Sequence, residues 1–188
     1  MAIRIDRVVT RGGDGGQTSL GDGTRLGKDA PRIEALGAVD EANAAIGVLR
    51  AALGAREAER DAALARIQND LFDLGADLAV PGEGGARLRM IDAPVLRLEA
   101  EIAAMNAALA PLSSFVLPGG TQAAAAAHLA RTLARRAERA VVALAATEKL
   151  SPAALRYLNR LSDHLFVLAR VLNDNGAGDL RWVPGENR

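Results

Sequence analysis

The chain has 188 residues, about half of them apolar, which is enough for one domain with a substantial core. Its 23 basic and 23 acidic residues balance, and this neutrality argues against a nucleic-acid-binding protein. The absence of cysteine excludes disulfides, zinc–thiolate sites, iron–sulfur clusters and thiol catalysis. The first residues lack a secretory apolar region, and no apolar run reaches the roughly 20 residues of a membrane span. We therefore expect a single-domain cytoplasmic protein that binds no membrane.

Residues 1–28 are rich in glycine, threonine and aspartate, show no helical period, and are predicted to form an irregular arm. Within this arm, the segment Thr10–Ser19 offers hydroxyl groups and backbone N–H groups free of bulky side chains. Successive amides of this kind can bind phosphate oxygens. The segment lacks the GxxxxGK[ST] pattern of a Walker loop, and a flexible arm with ordinary turns is the alternative interpretation.

From residue 29 the hydrophobic pattern becomes helical and predicts five helices. Asp29 is placed to cap the first helix, Thr121 the fourth and Ser151 the fifth. Long helices with short connections are typical of an up-and-down bundle, so we expect an all-α fold over residues 29–174 and an irregular tail over 175–188. The predicted helices run from Pro31 to about Leu53, Arg56 to Leu78, Asp92 to about Pro111, just after Thr121 to about Thr147, and Ser151 to about Asn173, with a loop at Pro81–Gly85.

The predicted fourth helix carries several charged residues on a background of alanine. Four of them are three or four residues apart and therefore share one face of the helix: Arg131, Arg135, Glu138 and Arg139. Guanidinium groups this close repel each other unless an anion or a carboxylate lies among them, and a polyphosphate would suit them. A solvated face is the alternative, and Asp40 or Glu41 of the first helix could supply a partner to a buried arginine.

Three further positions are candidates for ligand contacts. Asn159 interrupts the leucine stripe of the fifth helix, although an ordinary polar edge would look the same. Phe115 lies in an apolar loop before the fourth helix, where it could form a ligand wall or a core contact. Lys28 is one of only two lysines, which favours a role for a compact ammonium group. His128 and His164 lack the Glu-x-x-His spacing of a di-iron bundle, so no histidine metal site is predicted and the metal ligands are unknown.

Six short segments form an ordered pattern from about residue 10 to residue 173. They are Thr10–Ser19 (TRGGDGGQTS), Lys28–Arg32 (KDAPR), Gly37–Asn43 (GAVDEAN), Phe115–Thr121 (FVLPGGT), Arg131–Arg139 (RTLARRAER) and Tyr157–Asp163 (YLNRLSD). Together they resemble the PduO-type ATP:cob(I)alamin adenosyltransferases, a family of corrinoid adenosyltransferases. Each segment is weak alone, and the ordered set is highly specific.

The resemblance implies a five-helix bundle that assembles as a homotrimer, with ATP bound between neighbouring subunits. It also implies transfer of the 5′-deoxyadenosyl group of ATP to the cobalt of cob(I)alamin, which gives adenosylcobalamin and triphosphate. ATP, Mg²⁺ and the substrate cobalamin are the expected ligands. A nucleotide-responsive carrier that delivers adenosylcobalamin to a client mutase is the alternative function, and a purely structural helical oligomer is a third. A cobalamin-dependent mutase and a reductase are the expected protein partners.

Position by position, the resemblance implies roles for residues of the arm and the bundle. Lys28 matches a phosphate-binding lysine, and Phe115 matches an aromatic side chain that crowds the lower axial face of cobalt. Asp40 and Arg131 match an ion pair close to the corrin. With Arg135, these are the expected catalytic residues. The expected nucleotide-binding residues are Thr10, Arg11, Gly12, Gly13, Thr18, Ser19, Lys28, Arg135, Arg136, Glu138, Arg139 and Asn159.

Overall fold

The computed structural model describes Asp6, residues 8–82 and residues 87–188, and within them it contains the five predicted helices. A two-stranded hairpin precedes the helices. The elements are β1 (Gln17–Ser19), β2 (Arg25–Gly27), α1 (Pro31–Ala52), α2 (Ala58–Leu78), α3 (Asp92–Asn106), α4 (Gln122–Ala145) and α5 (Pro152–Leu172). The predicted helical bundle is therefore confirmed, whereas the predicted loop at 81–85 lies mostly outside the described residues.

α1 has the predicted bounds without the predicted Asp29 cap, and α3 ends earlier than predicted. Ala30 occupies the N-cap position of α1, and the side chain of Asp29 makes no capping hydrogen bond. Pro31 explains this start, because its ring supplies a helical φ and it has no N–H that needs a cap. α3 ends at Asn106, and tight turns follow it ahead of Pro111, which disfavours helix in the residue before it.

The hydroxyl residues at the starts of α4 and α5 act differently. Thr121 caps α4 as predicted, because its hydroxyl oxygen accepts a hydrogen bond from the N–H of Ala124 at 3.1 Å. Ser151 occupies the N-cap position of α5, but its hydroxyl donates to the carbonyl oxygen of Met90 at 2.9 Å. Ser151 therefore ties the start of α5 to the chain that leads into α3 instead of capping its own helix.

α4 is the central helix of the bundle and packs against both α1 and α5. Its inner positions are mostly alanine, and these small side chains let the neighbouring helices approach closely. Larger core side chains come chiefly from the leucine stripes of α2 and α5. The fully buried alanines of α4 are Ala124, Ala127, Ala130, Ala134 and Ala137. Over the residues that the structure describes, no helix combines the length and the apolarity needed to cross a bilayer.

A buried polar cluster joins α2, α3 and α5. The hydroxyl of Tyr157, a fully buried side chain, donates to Asp70 at 2.8 Å, and Arg97 pairs with the same carboxylate. Arg97 also lies 3.7 Å from Glu101, whose other carboxylate oxygen meets Nε2 of His164 at 2.9 Å. Burial first, and then the charge of Asp70, raises the pKa of Tyr157 well above its usual value. The phenol therefore stays protonated and remains a hydrogen-bond donor.

Replacing Tyr157 with phenylalanine removes only this hydroxyl and leaves the buried carboxylate of Asp70 with one partner fewer. We expect the free energy of unfolding to fall by about 1–3 kcal/mol, the usual cost of an unmade hydrogen bond to a buried group. Urea denaturation followed by far-UV circular dichroism measures the change. An unfolding free energy equal to that of the unchanged protein would show that Asp70 does not depend on this donor.

The arm contains a short antiparallel hairpin attached to the end of α2. β1 and β2 pair in the register Gln17–Gly27, Thr18–Leu26 and Ser19–Arg25. The turn between the strands contains Gly23, whose φ of +88° suits glycine because it has no Cβ. Leu20 is buried, and the N–H of Gly21 donates to the carbonyl oxygen of Ala79 at 2.9 Å. The arm is therefore more ordered than the sequence predicts.

The C-terminal tail returns along the loop that precedes α4. Val116 of that loop and Arg181 of the tail form an isolated antiparallel bridge. Arg170, a buried residue in the last turn of α5, pairs with Asp179 at 2.8 Å and fixes the turn where the tail begins. The sequence predicts an irregular tail, and these contacts give it a defined path.

Candidate functional site

The glycine loop of the arm is closed by a lysine. Arg11 has a φ of +61° and Gly16 a φ of +79°, and these left-handed positions help fold residues 11–16 into consecutive turns. The N–H of Lys28 donates to the carbonyl oxygen of Gly16 at 2.9 Å. The Lys28 side chain lies over Gly13, since a Cβ at Gly13 would come within 3.0 Å of Nζ. An ammonium group and a glycine-rich backbone thus meet at one place, which suits a phosphate group.

Arg25 on β2 fixes this loop from the other side, and sequence reasoning missed it. Its guanidinium donates to the carbonyl oxygen of Gly12 at 2.9 Å and to the hydroxyl of Ser19 at 3.3 Å. A third contact, at 3.4 Å, reaches the side-chain oxygen of Gln17. The signal that could have found this role is the hairpin, in which Ser19 and Arg25 are cross-strand partners.

Of the four arginines of α4, Arg136 is ion-paired with α1, Arg135 and Arg139 are exposed, and Arg131 is half-buried. Arg136 donates to Glu34 at 3.0 Å and also pairs with Glu41, so two carboxylates of α1 hold it. Sequence reasoning named Glu41 as a partner for an arginine of this helix and missed Glu34. Arg135 and Arg139 are exposed, and no carboxylate in the described ranges pairs with either. Nη1 of Arg139 makes a long hydrogen bond, 3.4 Å, to the carbonyl oxygen of Arg135, and both guanidinium groups can bind an anionic ligand.

Glu138 connects this face of α4 to α5. Its Oε1 accepts a hydrogen bond from Nδ2 of Asn159 at 2.9 Å, and both residues are half-buried. Asn159, the polar residue that interrupts the leucine stripe of α5, therefore faces α4. The structure thus brings Asn159 together with Glu138, three residues along the helix from Arg135.

Asp40 and Arg131 do not pair with each other within one chain. Asp40 is exposed on α1, whereas Arg131 is half-buried on α4 and its Nε has no hydrogen-bond partner. Burial first, and then the charge of Arg135, lowers the pKa of the Arg131 guanidinium. A partly desolvated cation of this kind is stabilised by an added carboxylate, so the expected ion pair stays a prediction for the assembled protein.

A cavity of about 630 Å³ lies between α4, the loop before it and the tail. Phe115 and Trp182 form part of its wall, with ring centroids 6.0 Å apart and planes tilted by 51°. The backbone holds them together, because the N–H of Trp182 donates to the carbonyl oxygen of Phe115 at 2.9 Å. Arg131, His128 and Phe166 line the same cavity. Sequence reasoning missed Trp182, because the residue pattern does not show that the tail returns to this loop.

His128 is buried in the wall of this cavity, and neither of its ring nitrogens has a hydrogen-bond partner. Its pKa is lowered, first by burial and second by the charge of Arg131, while Asp179 acts in the opposite direction. Because the folded state disfavours the imidazolium, the unfolded state takes up this proton first as the pH falls. The contribution of His128 to stability is complete above its unperturbed pKa of 6.5 and is lost as the pH falls toward the lowered pKa of the folded protein.

Between about pH 7 and pH 5, the melting temperature of a His128→Gln variant should therefore fall less than that of the unchanged protein. Glutamine cannot take up the proton, so acid does not stabilise the unfolded state of the variant at this position. Differential scanning calorimetry at several pH values gives the two profiles. Their slopes are compared, so a constant difference in stability cancels, and parallel profiles would contradict the prediction.

Within the described part of one chain, residues 10–28 of the arm make no hydrogen bond or ion pair with Arg135 or Arg139. Of the predicted loop contacts, Thr10 is exposed and Thr18 is half-buried in β1. α4 also exposes Leu129 and Val142, each by 53%. They are 13 positions apart and lie on different sides of the helix, so they are isolated apolar residues and do not form one patch.

Known proteins match this chain over nearly its whole length. The family model described as "Cobalamin adenosyltransferase" matches residues 8–172. A cobalamin adenosyltransferase from Cupriavidus metallidurans is 52% identical over 184 residues, which are 97% of each chain. A corrinoid adenosyltransferase from Mycobacterium tuberculosis is 46% identical over an alignment of 193 residues, which covers 100% of this chain and 98% of the relative.

Solved structures of corrinoid adenosyltransferases are similar to this chain in fold as well as in sequence. A variant PduO-type ATP:corrinoid adenosyltransferase from Lactobacillus reuteri, complexed with cobalamin and ATP, is 35% identical and superimposes with a TM-score of 0.89. That match covers 95% of this chain and 97% of the other. Another variant of the L. reuteri enzyme, complexed with ATP, is 36% identical with a TM-score of 0.86 over 94% of this chain. Because sequence and fold agree from the glycine loop to the end of α5, the chain belongs to the cobalamin adenosyltransferase family, of the PduO type.

Proposed function

We propose that this protein transfers the 5′-deoxyadenosyl group of ATP to the cobalt of cob(I)alamin, giving adenosylcobalamin and triphosphate. Family membership makes the chain a corrinoid adenosyltransferase. The observation that carries the detailed proposal is its likeness to the L. reuteri enzyme complexed with cobalamin and ATP. In the reaction the cobalt attacks C5′, a cobalt–carbon bond forms, and the C5′–oxygen bond breaks. Triphosphate leaves with the electron pair of that bond.

The glycine loop and the free arginines of α4 are our candidates for the triphosphate site. Lys28, which lies over Gly13, supplies an ammonium group beside the loop backbone. Arg135 and Arg139 supply two unpaired guanidinium groups, whereas Arg136 is already neutralised by α1 and should contribute least. Cations fixed in advance stabilise the charge that grows on the departing triphosphate, and one such donor is commonly worth about 3–4 kcal/mol.

In the described residues no hydrogen bond or ion pair joins the loop to these arginines, and we infer that a neighbouring subunit completes the site. A homotrimer in which the arm of one subunit covers α4 of the next would bring them together. It would also let the exposed Asp40 approach Arg131 of another subunit. Multi-angle light scattering measures the assembly, and a stable monomer that remains fully active would contradict this arrangement.

Mg²⁺ enters the proposal together with ATP. In the described part of the chain, no three histidine, cysteine, aspartate or glutamate side chains come together as a protein metal site would need. This fits an ion held chiefly by phosphate oxygens and water, which is the usual state of Mg²⁺ on nucleotides. When bound, it neutralises part of the triphosphate charge. Asn159 and Glu138 are our candidates for holding the nucleotide so that C5′ faces the cobalt.

The cavity beside α4 is our candidate for the corrin side of the site. Phe115 is 78% exposed, and with Trp182 it offers an apolar wall. Cob(II)alamin is difficult to reduce, and loss of the lower axial ligand makes the cobalt four-coordinate and easier to reduce. An apolar side chain below the cobalt would exclude that ligand and water, and we assign this role to Phe115. The protein thus supplies the surroundings, while the reactivity is that of the corrinoid.

An absorbance assay tests the proposed function. The protein is mixed with ATP, Mg²⁺ and chemically reduced cobalamin, and the spectrum should change to that of adenosylcobalamin. A sample without ATP is the matched control and should keep its initial spectrum. An unchanged spectrum from folded protein that binds both substrates would overturn the assigned reaction.

Protein partners follow from the same proposal. A reductase would supply the cob(I) state, and a cobalamin-dependent mutase would receive the product. Direct delivery predicts that the mutase is captured by the protein loaded with adenosylcobalamin. Transfer that is equally fast through free solution would show that the protein acts as an enzyme without a carrier role.

A further inference from the structure

An ion pair between α3 and α5 adjoins Asn159. Nε of Arg160 donates to Oε1 of Glu99 at 2.7 Å, which links α5 to α3. Nη1 of the same guanidinium donates to Oδ1 of Asn159 at 2.5 Å. Asn159 in turn donates from Nδ2 to Glu138 on α4 at 2.9 Å. Four side chains on three helices thus form one continuous hydrogen-bonded series.

The two neighbours of Asn159 fix the orientation of its amide. A guanidinium can only donate, so Arg160 selects the oxygen of the amide. An ionised carboxylate can only accept, so Glu138 selects the nitrogen. Turning the amide over would bring its NH₂ group against the guanidinium and its oxygen against the carboxylate. That orientation loses both hydrogen bonds and adds two repulsions.

We propose that Arg160, held in place by Glu99, is a positioning residue for ATP binding. It sets the amide of Asn159 so that Asn159 and Glu138 present one arrangement of donors and acceptors to the nucleotide. The inference rests on the proposed function, in which these two residues contact ATP. Arg160 does not touch the nucleotide and acts through Asn159 alone. Without Arg160 only Glu138 holds the amide, so Asn159 leaves this arrangement more often and ATP binding must restore it at a cost in affinity.

Because the ion pair between Arg160 and Glu99 is exposed, a substitution of Arg160 should change ATP binding without changing the stability of the fold. The side chains of Arg160 and Glu99 are 35% and 43% exposed, and ion pairs this accessible contribute little to folding. A second pair, Arg156 with Asp92, joins the same two helices with side chains 48% and 62% exposed. Arg156 makes no hydrogen bond to Asn159, since its guanidinium bonds to Asp92. Arg156 is therefore a matched control for Arg160.

The first experiment compares Arg160→Ala with Arg156→Ala. Isothermal titration calorimetry gives the affinity for ATP, and initial rates give KM for ATP and for cobalamin. We expect Arg160→Ala to weaken ATP binding and raise KM for ATP by about 2–4-fold, which corresponds to a competent arrangement of Asn159 populated roughly a quarter to a half of the time. KM for cobalamin and the melting temperature should stay unchanged. Arg156→Ala should leave all four quantities unchanged, and Arg160→Lys should recover part of the ATP affinity because it keeps a charged donor.

A double-mutant cycle then asks whether Arg160 acts through Asn159. In an Asn159→Ala background, Arg160→Ala should cause no further loss of ATP affinity. An equal loss in both backgrounds would overturn the inference, because Arg160 would then act independently of Asn159. If Asn159→Ala weakens ATP binding and Arg160→Ala does not, the positioning role of Arg160 is overturned, whereas the proposed contact of Asn159 with ATP stands. Normal ATP binding by Asn159→Ala would overturn the proposed nucleotide role of Asn159 as well.

Discussion

Replacing Arg135 with alanine should lower adenosyltransferase turnover by about 100-fold or more while the helical bundle stays folded. Arg135 is exposed on α4 and pairs with no carboxylate in the part of the chain described, so its loss costs the fold little. In the proposed site its guanidinium faces the triphosphate, whose charge grows as the C5′–oxygen bond breaks. Loss of a fixed cation at that place removes about 3–4 kcal/mol of transition-state stabilisation.

The appearance of adenosylcobalamin in the absorbance spectrum measures turnover, and far-UV circular dichroism and the melting temperature report the fold. Arg66→Ala is the matched control, because Arg66 is a 53% exposed arginine on α2 whose long ion pair with Glu101, at 3.4 Å, should contribute little to folding. Its turnover should stay within about twofold of the unchanged protein, as expected for a surface substitution. Arg135→Lys keeps the charge and loses the planar fork, so its turnover should fall between the two. Turnover of Arg135→Ala equal to that of Arg66→Ala would contradict the assigned role.

Replacing Gly120 with alanine should lower the free energy of unfolding by about 3–5 kcal/mol. The φ of Gly120 is +99°, which L side chains rarely adopt, and a Cβ there would lie 2.1 Å from Oδ1 of Asn173. Asn173 is buried and cannot move freely. Its Oδ1 accepts from the N–H of Thr121 at 3.0 Å, and its Nδ2 donates to the carbonyl oxygen of Gly119 at 3.1 Å. The added methyl group therefore disrupts the contacts that hold the start of α4.

Gly119→Ala is the matched control for this prediction. A Cβ at Gly119 would meet no atom within 4 Å, so we expect its unfolding free energy to change by less than about 0.5 kcal/mol. Urea denaturation of the three proteins, followed by circular dichroism, gives the comparison. Coincident unfolding curves for Gly120→Ala and Gly119→Ala would show that Asn173 moves aside at little cost.

The helical bundle could be predicted because its signals are local. The leucine stripe of α5 and the alanine face of α4 repeat with the helical period, and Thr121 marks a helix start by residue type alone. Contacts between distant segments produce no periodic pattern in the sequence. Arg136 pairs with Glu34, which is 102 residues away in sequence, and no pattern distinguishes Glu34 from other glutamates of an exposed helix face.

The candidate site could be predicted where the residues lie in ordered motifs. Lys28, Arg135 and Asn159 each belong to one of the six segments, whereas their roles stay predictions. Arg25 was missed because its role depends on a hairpin of three-residue strands, too short for a clear alternation of polar and apolar side chains. An ion pair between subunits, as expected for Asp40 with Arg131, depends on how copies assemble and cannot be derived from one chain.

The contact of Lys28 with Gly13 has a practical consequence for handling this protein. Lys28 and Lys149 carry the only side-chain amines of the sequence, and Lys28 is exposed against the glycine loop. Reagents that couple to amines, including those on biosensor chips, will therefore attach the molecule at very few places, one of them beside the loop proposed to bind phosphate. Protein immobilised in this way should understate the affinity for ATP, whereas a dye attached at Lys28 should report nucleotide binding by a change in its fluorescence.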